Sequence, residues 1–268
     1  MSNYHLGHSD TEHERLIRQA RRLAPFTERF FRDAGIGRGQ TVLDIGSGVG
    51  DVAMLTATIV GPTGRVVGIE RDAKAIERAR VRAADAGLAN VQFLQSDIDN
   101  YSRDASFDAA VGRYILQFLP DPVATLRSVA ARVRSGGVIA FQEGSWAPLL
   151  ALSKHLPLWY AAISLLHEVG IRAGANLEMG PGLLAAFQDA ELPAPRMRLE
   201  MALGDDLDST RWASDVIQSV QSELERFDLR YDALGDLSTL QERLHDEVIA
   251  ARSVVPWIGL VAAWARKP

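Results

Sequence analysis

Residues Thr41 to Asp51 read TVLDIGSGVGD, and their types and spacing point to a bound ligand. The run Val42-Leu43-Asp44-Ile45 predicts a buried strand. It breaks into Gly46-Ser47-Gly48-Val49-Gly50, and Asp51 then opens an apolar segment, Val52 to Val60, that predicts a helix. Strand, glycine turn and helix together let backbone N–H groups approach a nucleotide-like ligand closely. The dinucleotide spacing G-x-G-x-x-G would need glycine at position 51, where this chain has Asp51. A negative charge at that helix start disfavours a pyrophosphate and tolerates a cationic ligand group.

Ligands of open α/β sheets bind beyond the C-terminal ends of the parallel strands, so the residues after each predicted strand come next. Glu70 lies twenty residues past Gly50. A carboxylate there can accept from both hydroxyls of a ribose; its alternative is an ordinary surface glutamate. Ser96-Asp97-Ile98 follows the third strand. Asp97 suits an adenine amino group, with Ile98 covering the ring, and it equally suits the cap of a turn. Gly112-Arg113-Tyr114 follows the fourth strand, and Arg113 and Tyr114 are not ligands for a hard cation. With no cysteine in the chain, thiolate metal sites, disulfides and a thiol nucleophile are excluded, and no metal is expected.

The elements that must hold these residues follow from periodicity. Residues 10 to 34 predict an amphipathic helix carrying Leu16, Ile17, Ala20 and Leu23 on one face. Strands are predicted at 65–70, 91–94, 107–112 and 138–142. Asp72 caps the helix after the second, and Asp121-Pro122 starts the helix after the fourth. That helix ends at Gly136-Gly137. The rhythm changes after Glu143: residues 146–192 predict helices, 196–201 a strand, 209–226 and 236–252 helices, and 257–265 a last strand. Alternating strand and helix imply a parallel sheet with right-handed crossovers.

The 268 residues are 47% hydrophobic, enough for one large α/β domain, and the net charge of −5 offers no global attraction to nucleic acid. The apolar stretch 146–166 carries Pro148, Lys154, His155 and Pro157, so a membrane span is rejected and no stable membrane insertion is expected. The polar start MSNYHLGHSD lacks an apolar leader segment. With the missing cysteines, this leads to the expectation of a cytoplasmic protein, monomer or homodimer.

The sequence [V/L]-L-[D/E]-x-G-x-G-x-G at Val42–Gly50 resembles motif I of the class I S-adenosylmethionine (SAM)-dependent methyltransferases. Arg113-Tyr114-Ile115-Leu116-Gln117-Phe118-Leu119-Pro120-Asp121-Pro122 resembles the quinone-biosynthesis-like small-molecule group of that family. The resemblance covers about residues 36–144, at all five strand ends. It implies a Rossmann-like, doubly wound, mostly parallel seven-stranded sheet with helical lids. It divides a single domain, 1–268, into an N-terminal lid (about 1–35), a SAM-binding core (36–144), a helical lid insertion (146–192) and a C-terminal completion of the core (193–268). It assigns Asp44, Gly46, Ser47, Gly48, Gly50, Glu70, Arg71, Asp97, Ile98, Arg113 and Gln117 to SAM and its product S-adenosylhomocysteine.

The implied activity is metal-independent methyl transfer to a small, partly apolar acceptor at O, C or N. Histidines and tyrosines of the lids are the candidates at the acceptor. They are Tyr4, His8 and His167, with His155, Glu143, Tyr114 and Tyr160 as further groups, each of which also has a packing role to fill. Two alternatives share the cofactor residues: a SAM-binding protein without methyl transfer, and an NAD(P)-dependent oxidoreductase. The second lacks both the third dinucleotide glycine and an evident hydride-transfer set.

Overall fold

The computed structural model describes residues 10–101 and 106–268. Its organising element is the strand at the glycine turn. Val42, Leu43 and Ile45 alternate between two apolar layers and all three are buried, so the strand has a helix layer on each face.

In chain order the elements are α1 (Asp10–Asp33), β1 (Thr41–Ile45), α2 (Asp51–Val60), β2 (Arg65–Glu70), α3 (Ala73–Asp85), β3 (Val91–Gln95), β4 (Phe107–Arg113), α4 (Pro122–Arg132) and β5 (Val133–Ser145). They continue as α5 (Ala147–Ser153), α6 (Pro157–Arg172), α7 (Met179–Asp189), β6 (Arg196–Glu200), β7 (Leu203–Gly204), α8 (Leu207–Ser219), α9 (Gln221–Arg226), α10 (Leu240–Ala250), β8 (Val255–Pro256) and β9 (Gly259–Arg266). The predicted caps form: the Asp72 carboxylate accepts from Lys74 and Ala75 N–H at 2.6 and 3.1 Å, and that of Asp121 from Ala124 N–H at 2.8 Å. Each satisfies a helix-start donor that would otherwise be orphaned.

The main sheet has seven strands in the order β3-β2-β1-β4-β5-β9-β6. β1 to β5 pair in parallel, and β9 runs antiparallel to both β5 and β6. This is the Rossmann-like, mostly parallel sheet that the sequence implies. The strand order reverses between β1 and β4, and such a reversal opens a crevice at the strand ends. Glycine turn and Arg113 therefore face one another across it.

Two local expectations change. The helix α4 stops at Arg132 and β5 begins at once, so Gly136-Gly137 does not end a helix. The pair lies in a bulge, where the register against β4 jumps between Phe107 and Ala109. A Cβ on Gly137 would come within 2.8 Å of the Asp108 carbonyl oxygen, so the bulge excludes a side chain there.

The second change concerns the lids. Helix α7 packs on β5, β9 and α4, with Leu183 and Phe187 in the sheet core, so it is a layer of the core. Conversely α8 and α10, expected with the core, pack on α6. They build a separate apolar cluster around Trp146, Trp159, Trp212 and Trp257. Leu23 of α1 joins that cap, while Phe30 and Phe31 of the same helix join the sheet. Periodicity finds the apolar face of each helix, but not the partner that the face meets.

Candidate functional site

The glycine turn leaves β1 with Gly46 at φ 64° and Gly48 at φ 51°, a region that L-residues rarely adopt. The two glycines act differently. A Cβ on Gly46 would strike Ile115 Cδ1 at 2.5 Å, because the turn touches the chain leaving β4. A Cβ on Gly48 would meet nothing within 4 Å, so the turn is open there. Ser47 is buried and its Oγ has no partner. Gly50 precedes the first turn of α2.

Glu70, at the end of β2, closes the turn from the side. Its Oε2 accepts from Gly48 N–H at 3.0 Å, and its Oε1 accepts from Arg71 and Asp72 N–H at 2.6 and 3.0 Å. Arg71 forms an ion pair with Asp97, and Ile98 is buried beside it. Asp51 is not a free negative charge. Arg82 of α3 meets it at 2.6 Å and donates also to the Val49 carbonyl at 2.5 Å. That neutralisation reduces the repulsion a pyrophosphate would meet, while the third dinucleotide glycine is still absent at position 51.

Beneath the turn, Asp44 is buried and its Oδ2 has no partner. Burial pushes its carboxyl well above the ordinary value, and the positive Arg113 opposes the rise. Burial in turn pulls the Arg113 guanidinium down, with Asp51, Tyr114 and Asp44 acting against it. Arg113 donates to Thr27 Oγ1 of α1 at 3.0 Å, and Thr27 donates to Gln142 Oε1 at 2.8 Å. A polar chain thus ties α1 to β4 and β5 through the floor of the crevice.

The backbone of Tyr114 is left-handed, at φ 54°. Behind it the Glu143 carboxylate accepts from Ile115, Leu116 and Gln117 N–H at 3.0, 2.9 and 3.3 Å. Burial pushes this carboxyl up to about 7, against the three N–H donors that favour its charged form. Glu143 therefore anchors the short turn Leu116–Phe118 and is not a base facing solvent or substrate. Gln117 is buried on that turn with its Oε1 unpartnered.

These parts line one cavity of about 410 Å³. One half is formed by the glycine turn, Glu70 to Asp72, Ser96 to Ile98 and Arg113. The other is formed by Trp146, Leu166, Val169, Leu177, Trp212, Val216, Trp257 and Ile258. Asp44 lies beneath the lining, under Arg113. His13, Arg15, Leu16 and Gln19 of α1 also line the cavity. Among the described residues, no group of three or more His, Asp and Glu could hold a metal ion. Nor is any helix among them long and apolar enough to cross a membrane.

The lid candidates fare differently. Tyr4 and His8 lie outside the described residues. His167 does not line the cavity: its ring packs on Trp146, with centroids 5.7 Å apart, and burial lowers its pKa. His155 bonds to Ser253 Oγ at 2.7 Å on the surface. His13, not among the sequence candidates, is buried against the cavity with Nε2 unpartnered. Its spacing of three with Leu16 and Gln19, one face of a helix, is the signal that could have found it. Trp212 and Trp257 are not among those candidates either. Nothing local marks them, because 45 residues separate two rings whose centroids lie 4.8 Å apart.

The methyltransferase domain family matches residues 36–171. Aklanonic acid methyltransferase DauC of Streptomyces sp. strain C5 is 37% identical over an alignment 134 residues long that covers 44% of this chain and 61% of DauC. The ubiquinone/menaquinone biosynthesis C-methyltransferase UbiE of Ectopseudomonas mendocina is 36% identical over 122 residues, 44% of this chain and 48% of UbiE. The chain thus spans about half the length of the curated relatives it matches. Among solved structures, a SAM-dependent methyltransferase from Aquifex aeolicus superposes with a TM-score of 0.53 at 18% identity. The superposition covers 72% of this chain and 92% of that one, and it bears on the fold alone. Sheet order, glycine turn and family match agree, and this chain belongs to the methyltransferase domain family.

Proposed function

We propose that this chain is a metal-independent SAM-dependent methyltransferase acting on a small, partly apolar organic molecule. The observation that carries the reading is one cavity joining a half built of glycine turn and carboxylates to a half built of tryptophans. A donor in the first half and an acceptor in the second would be held in contact, the main requirement of a displacement between two bound molecules.

The residues fit SAM. Gly48 leaves room where backbone must come close, and buried Asp44 Oδ2 and Ser47 Oγ lack partners inside the protein. Glu70 would accept from the ribose hydroxyls, Asp97 from the adenine amino group with Ile98 on the ring, and Arg113, Gln117 and the turn would surround the methionine end. Arg71 would hold Asp97 in place. Bound there, SAM supplies a sulfonium methyl carbon; the acceptor's electron pair forms the new bond while the carbon–sulfur pair returns to sulfur.

The protein orients the acceptor and excludes water from the shared cavity. Tyr4, His8 and His13 are the remaining candidates for taking a proton from an acceptor that carries one. The same reading treats 1–268 as one domain, its cap built from 146–172 and 207–250 rather than from 146–192. Its partner is a small molecule and no nucleic acid, and it acts in the cytoplasm as monomer or homodimer.

Calorimetric titration with SAM and with S-adenosylhomocysteine tests the donor half, with binding expected below millimolar. Production of S-adenosylhomocysteine over a panel of acceptors then tests transfer. No binding of either would end the proposal, and binding without turnover on any acceptor would favour a SAM-binding protein that transfers nothing.

A further inference from the structure

The cap half of the cavity contains polar atoms that the protein itself does not serve. Trp212 Nε1, Trp257 Nε1, the Tyr114 hydroxyl and Gln117 Oε1 are all buried, all belong to residues that line the cavity, and none makes a hydrogen bond within the protein. The Trp257 N–H approaches the Tyr114 oxygen without reaching hydrogen-bond geometry. Two indole donors, one hydroxyl and one amide acceptor therefore stand among apolar walls. A buried donor left unserved is costly, and a ligand that serves it gains affinity.

The other feature of this half is what it lacks. Its walls, from Trp146 through Leu166, Val169, Val216 and Ile258, bring no ionised side chain. Two carboxylates behind them are occupied by backbone, Glu143 by three N–H groups and Glu178 by those of Trp146 and Ala147. Gly144 is part of the design: a Cβ there would lie 3.1 Å from Gln117 Oε1 and 3.5 Å from the Tyr114 ring. The two polar groups thus converge over one bare backbone position. The cations near it are placed elsewhere: Arg113 borders Tyr114 from the glycine-turn half and donates to Thr27, and Arg22 lies over the Trp257 ring, 5.5 Å from its centroid, outside the lining. An ionised acceptor would lose its water here and find no opposite charge in the walls themselves.

We propose that this half of the cavity selects an uncharged acceptor that presents oxygen atoms to the indole N–H groups of Trp212 and Trp257. The chemical class is a neutral ring compound bearing carbonyl, ether or hydroxyl oxygens. Its apolar body lies among the tryptophans, its carbonyl or ether oxygens accept from the indoles and Tyr114, and a hydroxyl on it donates to Gln117 Oε1. Ammonium, carboxylate and phosphate acceptors are rejected by the same walls. The inference rests on the methyltransferase reading, because it names the acceptor for that site.

The test uses four probes on one skeleton: tetralin, 1-tetralone, 1-aminotetralin and tetralin-1-carboxylate. Each is measured by equilibrium dialysis against the full chain, with S-adenosylhomocysteine present. Tetralone is expected to bind at least about tenfold tighter than tetralin and than either charged probe, the size of one buried hydrogen bond. Trp212→Phe and Trp257→Phe keep an aromatic ring and remove the N–H. Each is expected to weaken tetralone several-fold and tetralin less than about twofold. Equal binding of tetralone and tetralin would mean that water serves the indoles, and would overturn the proposal. Equal losses for both probes in the variants, or tightest binding of an ionised probe, would overturn it too. S-adenosylhomocysteine binding, measured separately, shows that the variants fold. If it fails in the unaltered chain, the methyltransferase reading falls, while the tetralone–tetralin comparison still reads the chamber.

Discussion

The two halves of the cavity solve opposite problems with opposite materials. In the glycine-turn half, the carboxylates are already partnered: Glu70 accepts from three backbone N–H groups, and Asp51 and Asp97 are paired with Arg82 and Arg71. Those groups are fixed before any ligand arrives, and Glu70 and Asp97 stand at or just after the end of a strand, with Asp51 at the start of the helix that follows one. In the cap half the polar atoms are carried on aromatic rings and left unpaired. Its rings come from residues 146, 212 and 257, which meet only when three separate segments have packed. Recognition by local backbone geometry is encoded in short motifs, whereas recognition by packed rings is encoded in the whole cap.

The sharpest way to break this comparison is Trp212→Ala. Trp212 has ring neighbours in Trp257, Trp159 and Trp146 at 4.8, 5.6 and 6.4 Å between centroids. Removing it is expected to cost about 4 kcal/mol of stability in denaturant titration, as large aromatic truncations in cores do. S-adenosylhomocysteine affinity in the folded variant should change less than about twofold. A stable variant that has lost that affinity would show that the halves are not separable.

Glu143 sits at the border between them and gives a pH test. Its carboxyl titrates near 7 in the fold, against an ordinary 4.5. The raised value means that its contribution to stability is full below about pH 4.5 and is lost as pH rises through about 7, a span worth at most about 3 kcal/mol. Thermal melts from pH 4.5 to 8 should therefore show the native chain losing stability relative to Glu143→Gln. Parallel curves would place the ionisation of Glu143 elsewhere.

Glu70→Ala is the counterpart on the donor side. It removes the expected ribose acceptors and should weaken SAM about a hundredfold by calorimetry, at the strength of charge-assisted hydrogen bonds. Stability should fall only by about 1 kcal/mol, since the strands on either side remain paired. Unchanged affinity would contradict the ribose assignment. The smallest effect is expected at His167→Phe, where a ring still packs on Trp146 and turnover should stay within about twofold. A large loss there would return His167 to the chemistry.

What was legible in the sequence follows the same division. Val42–Ile45, the glycines and the caps Asp72 and Asp121 are local, and all appear where the pattern puts them. Position after a strand was enough to bring Glu70, Asp97 and Arg113 to one crevice, because parallel strands end on one edge of the sheet. The pairings Asp51–Arg82 and Arg113–Thr27 were not legible, since each joins residues more than 30 positions apart. Nor was the placing of α7 on the sheet and α8 in the cap. Both helices have an apolar face, and a face alone does not say which layer receives it.

The short pair β7–β8 carries a consequence for how such a chain can be altered. Leu203 and Gly204 pair with Pro256 and Val255. The roughly fifty residues of α8, α9 and α10 therefore leave the body and return to it through one clasp. A stretch whose two ends already touch adds little loop-closure cost when its length changes. It can be exchanged for another of different shape while the sheet keeps its order. That excursion brings Trp212 and Val216 to the cavity, so exchanging it would rebuild one wall of the tryptophan half while Trp146, Trp257 and the glycine turn keep their places.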